Sequence, residues 1–91
     1  MLEVAGQVET QGWLKCRLDK GMFSDERAVT YPETGDWQKS VFVPVNATEG
    51  SPGGIGRVQV QIVSRDGRTL CVLPSANRDI VTASEEDVTS Q

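Results

Sequence analysis

The fold class of this chain is indicated most clearly by residues 58–74, VQVQIVSRDGRTLCVLP. Apolar and polar side chains alternate on both sides of an Asp-Gly pair, which is the spacing of strands with one buried and one solvated face. An Asp-Gly pair between two such runs is the strongest short-range signal for a β-hairpin. The stretch therefore predicts a long antiparallel hairpin in a small all-β domain.

The Asp-Gly pair permits two hairpin registers. A two-residue turn places Arg65 opposite Arg68 and sets Ile62 opposite Cys71. A three-residue loop that begins at Arg65 instead sets Ile62 opposite Leu70. Because two arginines directly opposite each other repel, we predict the three-residue loop. Its buried face then consists of Val58, Val60, Ile62, Leu70 and Val72, with Cys71 on the other face.

The rest of the chain is predicted to contain further short strands, at residues 2–9, 13–18, 26–31, 37–45 and 79–83. We expect a turn at residues 10–12, a loop at 19–25 whose Met22 and Phe23 fold back over the core, and a surface loop at 46–56. Pro44 lacks an amide proton, which places the end of its strand at a sheet edge or a bend. Ser84 precedes three acidic residues, a pattern typical of a single helical turn.

Five to seven short strands and no longer helix fit a small barrel, which removes the edges of an open sheet. We predict one domain over residues 1–88 and a frayed tail at 89–91. Residues 1–78 carry nine acidic and nine basic side chains, so the net charge of −4 comes from the C-terminal segment. A neutral body lacks the basic surface that nucleic-acid binding needs.

The C-terminal third resembles the end of SH3-like small barrels of the Tudor and KOW kind. The matching residues are the hairpin at 58–73, the segment at 77–82 and the acidic segment at 84–88. In that fold a long hairpin is followed by a one-turn helix and a short closing strand. The resemblance implies a binding scaffold and identifies no particular ligand.

Catalytic and metal-binding motifs are not predicted. The chain has no histidine, the commonest general base near neutral pH, and Cys16 and Cys71 are isolated from each other in sequence. The glycine-rich residues 50–56 lack the Lys-Ser/Thr ending of a phosphate-binding loop. Without a secretory leader or a long apolar run, we expect a cytoplasmic protein with free thiols, no cofactor and no enzymatic activity.

Aromatic side chains are the best candidates for a binding site. Trp13 and Trp37 begin predicted strands beside turns, and with Phe23 and Tyr31 they predict a shallow groove for a peptide or a cationic side chain. The competing interpretation is that a small core needs these aromatics.

A non-catalytic module that binds a protein or peptide is the predicted function. Two other classes stay open. One is a homo-oligomeric assembly subunit that makes contact through Val41, Val63 and Leu73. The other, less favoured, is a nucleic-acid-associated barrel that uses Lys15, Arg17, Arg65 and Arg68.

Overall fold

The computed structural model describes residues 7–33, 35 and 37–90. This part of the chain holds eight strands: β1 (Gln7–Lys20), β2 (Glu26–Tyr31), β3 (Lys39–Pro44), β4 (Thr48–Glu49), β5 (Gly54–Arg65), β6 (Arg68–Val72), β7 (Ile80–Ala83) and β8 (Val88–Ser90). Single 3-10 turns lie at Val45–Ala47 and Glu85–Asp87. The strands form a nearly closed, barrel-shaped sheet, which confirms the predicted small all-β barrel.

The sheet is antiparallel and has the order β3-β2-β1-β5-β6-β7. β1 and β5 pair along most of their length, and each is long enough to take two neighbours on its other side. β2 and β8 therefore pair with different parts of β1, and β4 and β6 with different parts of β5. The short closing strand β8 directly follows the predicted one-turn helix, whereas its residues were predicted to lie mainly in a frayed tail.

The core is formed by the inward-facing side chains of every long strand. Alternate residues Leu14, Cys16 and Leu18 of β1 are fully buried, as the pattern of residues 13–18 predicts. The remaining buried members of the cluster are Val29, Tyr31, Val43, Val58, Val60, Ile62, Cys71, Leu73, Val81 and Ala83. No helix within the described residues is long and apolar enough to cross a membrane.

The three-residue loop predicted for the central hairpin is wrong. Asp66 and Gly67 have φ angles of 52° and 75°, and Arg65 lies opposite Arg68. This is a two-residue turn with positive φ at both central residues, whose twist matches that of the flanking strands. The two arginines are exposed at the hairpin tip, where water and salt weaken their repulsion. Turn geometry therefore outweighs the like-charge pair.

The observed register moves two residues into the core. Ile62 faces Cys71, and both Cys71 and Leu73 are buried, whereas Leu70 and Val72 are only partly buried. Cys71 therefore does not lie on the second face, as the other register predicted. Leu73 has an exposed fraction of 1 % and is excluded from the apolar contact surface that was predicted for an assembly.

The turn predicted at residues 10–12 is absent, since β1 runs through it without interruption. Gly12 pairs with Val60 on one side and Ser90 on the other. A Cβ atom at Gly12 would overlap the carbonyl oxygen of Thr89 and the side chain of Ile62. The glycine therefore permits the close approach of β8. Residues 2–6 of the predicted first strand lie outside the described residues.

Two predicted loops also differ from the structure. Met22 and Phe23 have exposed fractions of 75 % and 67 %, so they project into solvent and do not fold back over the core. Residues 46–56, predicted as a surface loop, contain β4 and the start of β5. Glycines permit these elements to approach closely, because a Cβ at Gly56 would overlap the backbone of Glu49.

Candidate functional site

One end of the sheet is formed by β3, which pairs with β2 on one side only. The amide of Val45 donates to the carbonyl of Asp25 at 2.8 Å, which continues the register of β2 and β3 by one pair. In an antiparallel ladder, hydrogen-bonded pairs alternate with pairs whose backbone groups point away from each other. Val43, Val41 and Lys39 therefore bond to β2.

The backbone groups of Ser40 and Phe42 consequently point away from β2, toward the open edge. Pro44 shares this orientation but offers only its carbonyl, because proline has no amide proton. The side chains agree with this assignment: the hydroxyls of Thr30 and Ser40, directly opposite residues, lie 2.8 Å apart on the outer face. Within the described part of the chain, the edge of β3 thus presents two amides and three carbonyls without a strand beside them. Pro44 was predicted to place the end of its strand at a sheet edge or a bend.

A cleft of about 580 Å³ runs beside this edge. Its first wall is the consecutive residues 38–42, and its second wall is formed by Ser75, Ala76, Asn77 and Asp79. A cleft on one face of a strand is lined by alternate residues, whereas five consecutive residues indicate that it follows the strand edge. We call it the β3 cleft.

The second wall is held in place by its own hydrogen bonds. The Ser75 hydroxyl donates to the Asp79 carboxylate at 2.7 Å and accepts from the Asp79 amide at 3.0 Å. The amide of Arg78 donates to the carbonyl of Ser75, and the amide of Leu73 donates to the carbonyl of Asp79. Because the turn is already ordered, a ligand in the β3 cleft does not have to order it.

An ion pair joins the two walls of the β3 cleft. Lys39 Nζ lies 3.3 Å from the Asp79 carboxylate. The Ser75 hydroxyl bond, followed by the Lys39 ammonium, lowers the pKa of Asp79 below its ordinary value. Asp79 is therefore ionised throughout the physiological pH range, and the pair places both charges at one end of the cleft.

Apolar side chains lie beside the open edge. Phe42 projects outward from β3 with an exposed fraction of 46 %, and Val41 points inward, where it packs against the core cluster. Trp37, one of the predicted groove residues, precedes β3 and has an exposed fraction of 91 %. An extended chain paired with β3 would thus meet an aromatic side chain on the outer face and an aliphatic one on the inner face.

The other predicted groove residues lie elsewhere. Trp13 lines a cleft on the outer face of β1 and β5, where the Arg57 guanidinium lies 4.2 Å from its ring centroid. Arg57 is held there by the Glu49 carboxylate, at 2.9 Å from Nε and 2.6 Å from Nη2. A side chain of the same protein therefore already occupies the face that a cationic ligand would use.

Phe23 and Tyr31 do not join Trp13. Phe23 lines a separate cleft at the β1–β2 turn. Tyr31 is buried, and its hydroxyl donates to the Asp87 carboxylate at 2.8 Å and accepts from the Ser84 amide at 3.1 Å. The four aromatics predicted as one groove are thus divided among different surroundings, and Tyr31 links β2 to the C-terminal segment.

The four cations predicted for nucleic-acid contact do not form one unpaired basic surface. Lys15 lies 3.4 Å from Glu33, and Arg17 lies 3.1 Å from Asp19. Arg65 and Arg68 are at the hairpin tip with Asp66 between them. Two of the four positive charges are therefore offset by neighbouring carboxylates.

Both cysteines are buried in the core as free thiols. Burial raises the pKa of Cys16 to about 12, with a further contribution from the negative charge of Glu33, and raises that of Cys71 to about 11. A thiol must ionise to act as a nucleophile or metal ligand. Both cysteines are therefore packing residues in this structure.

Comparisons with protein-family models, curated proteins and solved structures find no match for this chain. Sequence reasoning missed the backbone groups of Ser40 and Phe42, which carry no side-chain signature. The one signal that pointed to them was Pro44, since proline is confined to edge strands, strand ends or bulges.

Proposed function

We propose that this chain is a non-catalytic module that binds an extended peptide segment of a partner protein by strand addition along β3. The observation that carries the proposal is the unpaired edge of β3, with the backbone groups of Ser40 and Phe42 directed into a cleft whose opposite wall is ordered. In strand addition, main-chain hydrogen bonds supply affinity and alternate side-chain contacts supply specificity. The unpaired amides and carbonyls of a sheet edge are a template for pairing with another strand.

The chemistry of the β3 cleft describes the peptide. Its backbone would bond to Ser40 and Phe42, and pairing would end at Pro44, which cannot donate. One side chain would lie beside Phe42 on the outer face, so an apolar residue is expected there. A charged residue near the Lys39–Asp79 pair would compete with an existing ion pair, so a neutral residue is favoured at that end.

Selection from a library of random peptides displayed on phage tests this proposal. Peptides that bind by strand addition should lose affinity when Phe42→Pro removes the edge amide. The matched control is Thr82→Pro, which removes an edge amide from β7, the strand at the other end of the sheet. The amide of Leu73 donates to the carbonyl of Asp79, so these two residues form a hydrogen-bonded pair that extends the pairing of β6 and β7. Hydrogen-bonded and non-bonded pairs alternate along the register, so the backbone groups of Thr82 point away from β6.

Strand addition predicts that affinity is lower by about tenfold or more in Phe42→Pro than in Phe42→Ala, because Phe42→Ala removes only the side chain whereas Phe42→Pro also removes the edge amide. It predicts little change in Thr82→Pro. A library that yields no binder, or binders that tolerate Phe42→Pro, would contradict the proposal. Light scattering distinguishes peptide binding from assembly of copies of this chain. If β3 pairs with β3 of a second copy, a concentration-dependent dimer forms, and Phe42→Pro abolishes it.

A further inference from the structure

A second cleft, of about 360 Å³, lies at the end of the barrel formed by the β1–β2 turn. Its charged lining residues are Lys20 and Arg27, and its apolar lining residues are Met22, Phe23 and Pro52. Among the residues that the structure describes, no acidic side chain lines this cleft. We call it the Lys20–Arg27 cleft; it is separate from the β3 cleft, and its argument does not depend on strand addition.

The two cations are brought together by the sheet. Lys20 is the last residue of β1 and lies directly opposite Arg27 of β2. Side chains alternate between the two faces of a strand, so Lys20 and Arg27 continue the inward-facing rows of β1 and β2. They therefore lie at the end of the barrel, beyond Leu18. Like charges directly opposite each other destabilise a sheet. Among the described residues, neither side chain has a salt bridge to an acid.

Arg27 also carries an unsatisfied donor. Its Nη1 donates to the carbonyl of Glu26 at 3.1 Å, whereas its Nε is enclosed and has no acceptor within the described part of the chain. A buried donor without an acceptor costs free energy. A ligand cannot reach the enclosed Nε and Nη1 is engaged, so Nη2 is the donor of the guanidinium that remains for a carboxylate.

The nearest acidic residue of the turn is used locally. The Glu26 carboxylate accepts from the amides of Met22 and Phe23, at 3.1 and 3.3 Å. These bonds order the turn and hold the two apolar side chains at the cleft in exposed positions, where they contribute nothing to the core. An ordered turn that exposes two large apolar residues beside two unpaired cations is typical of a binding surface.

We propose that the Lys20–Arg27 cleft binds a carboxylate that lies next to an apolar group. Lys20 and Nη2 of Arg27 hold the carboxylate, and Met22 and Phe23 contact the apolar group. The bound carboxylate offsets the repulsion between the two cations. A C-terminal residue with an apolar side chain combines these two features in one ligand.

Titration with small probes, monitored by amide NMR shifts, tests this site. N-acetylphenylalanine carries a carboxylate next to an aromatic ring, and N-acetylphenylalaninamide is its neutral counterpart. Inorganic phosphate supplies charge without an apolar group. The site predicts that N-acetylphenylalanine binds most tightly and shifts the amides of residues 20–27. Binding of the neutral amide or of phosphate with equal affinity would overturn the proposal, as would shifts confined to another surface.

Substitutions identify the groups that hold the carboxylate. Lys20→Met and Arg27→Met keep an unbranched stem and remove the charge, and each should weaken binding of N-acetylphenylalanine by about tenfold. Lys15→Met is the matched control, because it removes an exposed strand cation outside the cleft. Lys20 is exposed at the end of β1, so its substitution leaves the fold intact even if Arg27→Met does not. Unchanged binding in Lys20→Met would refute the assignment.

Discussion

The Tyr31 hydroxyl connects distant parts of the chain. It bonds to Ser84 and Asp87, which are more than fifty residues away in sequence. Burial is the main cause that raises the pKa of Tyr31 above its ordinary value. The hydroxyl therefore stays protonated and donates to Asp87. This bond lies where the chain leaves β7 to form the closing strand β8.

Tyr31→Phe should lower the free energy of unfolding by about 1–3 kcal/mol, because the partly buried Ser84 amide and Asp87 carboxylate lose a partner. Urea denaturation measures the change. Thr30→Val is the control. It removes the hydroxyl contact between Thr30 and Ser40, which lies on the exposed outer face of the sheet. Equal costs in the two variants would show that the Tyr31 hydroxyl has no special role.

The two buried thiols predict a loss of stability at alkaline pH. Both have a folded pKa raised above 9.0, to about 12 for Cys16 and about 11 for Cys71. In the unfolded chain the thiols are half ionised at their ordinary pKa of 9.0, while the folded thiols stay protonated. The unfolded state therefore binds fewer protons, and stability falls as pH rises above 9.

Urea denaturation between pH 7 and pH 10.5 should show this fall, with no thiol contribution below pH 8. Replacing Cys71 with alanine costs stability at every pH but should make the alkaline fall shallower. An unchanged slope in Cys71→Ala would indicate that this thiol ionises equally in both states.

The central hairpin shows which part of an element a sequence pattern can predict. The alternation of residues 58–73 indicated both strands, because it reports burial of one face. It did not select the register, because both registers give an apolar row of similar quality. The turn selected it: Asp66 and Gly67 adopt the positive φ angles that a twisted two-residue hairpin requires. Sequence reasoning gave too much weight to the repulsion between exposed arginines.

Arg68→Glu tests the observed register. Because residue 68 lies opposite Arg65, the substitution should replace a repulsive pair by an attractive one and raise the free energy of unfolding by about 0.2–1 kcal/mol. The gain should shrink in 1 M salt, where charges are screened over about 3 Å. In the alternative register, residue 68 faces Ser64, and no salt-dependent gain would be seen.

The alternation of backbone hydrogen bonds along β3 predicts different effects of proline at neighbouring positions. Val41→Pro removes an amide that bonds to β2, so it should destabilise the protein by about 1–3 kcal/mol more than Phe42→Pro, whose lost amide faces the open edge. Thermal denaturation of the two variants measures the difference. If Phe42→Pro were the more destabilising, the assignment of the open edge would be reversed.

The barrel as a whole leaves its two end strands in different surroundings. The chain beyond β7 turns back through Ser84 to pair β8 with β1, and Tyr31 holds this region. β3, at the other end of the sheet, keeps its outer edge open beside an ordered turn. The fold class was predictable because alternation and turn residues are local features. Which strand lacks a neighbour depends on pairings between distant segments, and no local pattern reports them.

The candidate sites were less predictable for a related reason. The aromatics were conspicuous in the sequence, yet Tyr31 is a core residue and Trp13 lies beneath Arg57. The β3 edge uses backbone groups, and the Lys20–Arg27 cleft depends on a cross-strand register. Neither arrangement has a sequence motif, whereas Pro44 alone suggested that its strand ends at an edge.

Hydrogen exchange of the β3 amides shows whether a bound peptide pairs with the open edge. In the free protein, the amides of Val41 and Val43 should exchange slowly, and those of Ser40 and Phe42 should exchange rapidly. Saturation with a peptide selected from the library should protect Ser40 and Phe42, because the added strand accepts their protons. Slow exchange of Ser40 and Phe42 in the free protein, or no gain in their protection when the peptide is bound, would contradict strand addition.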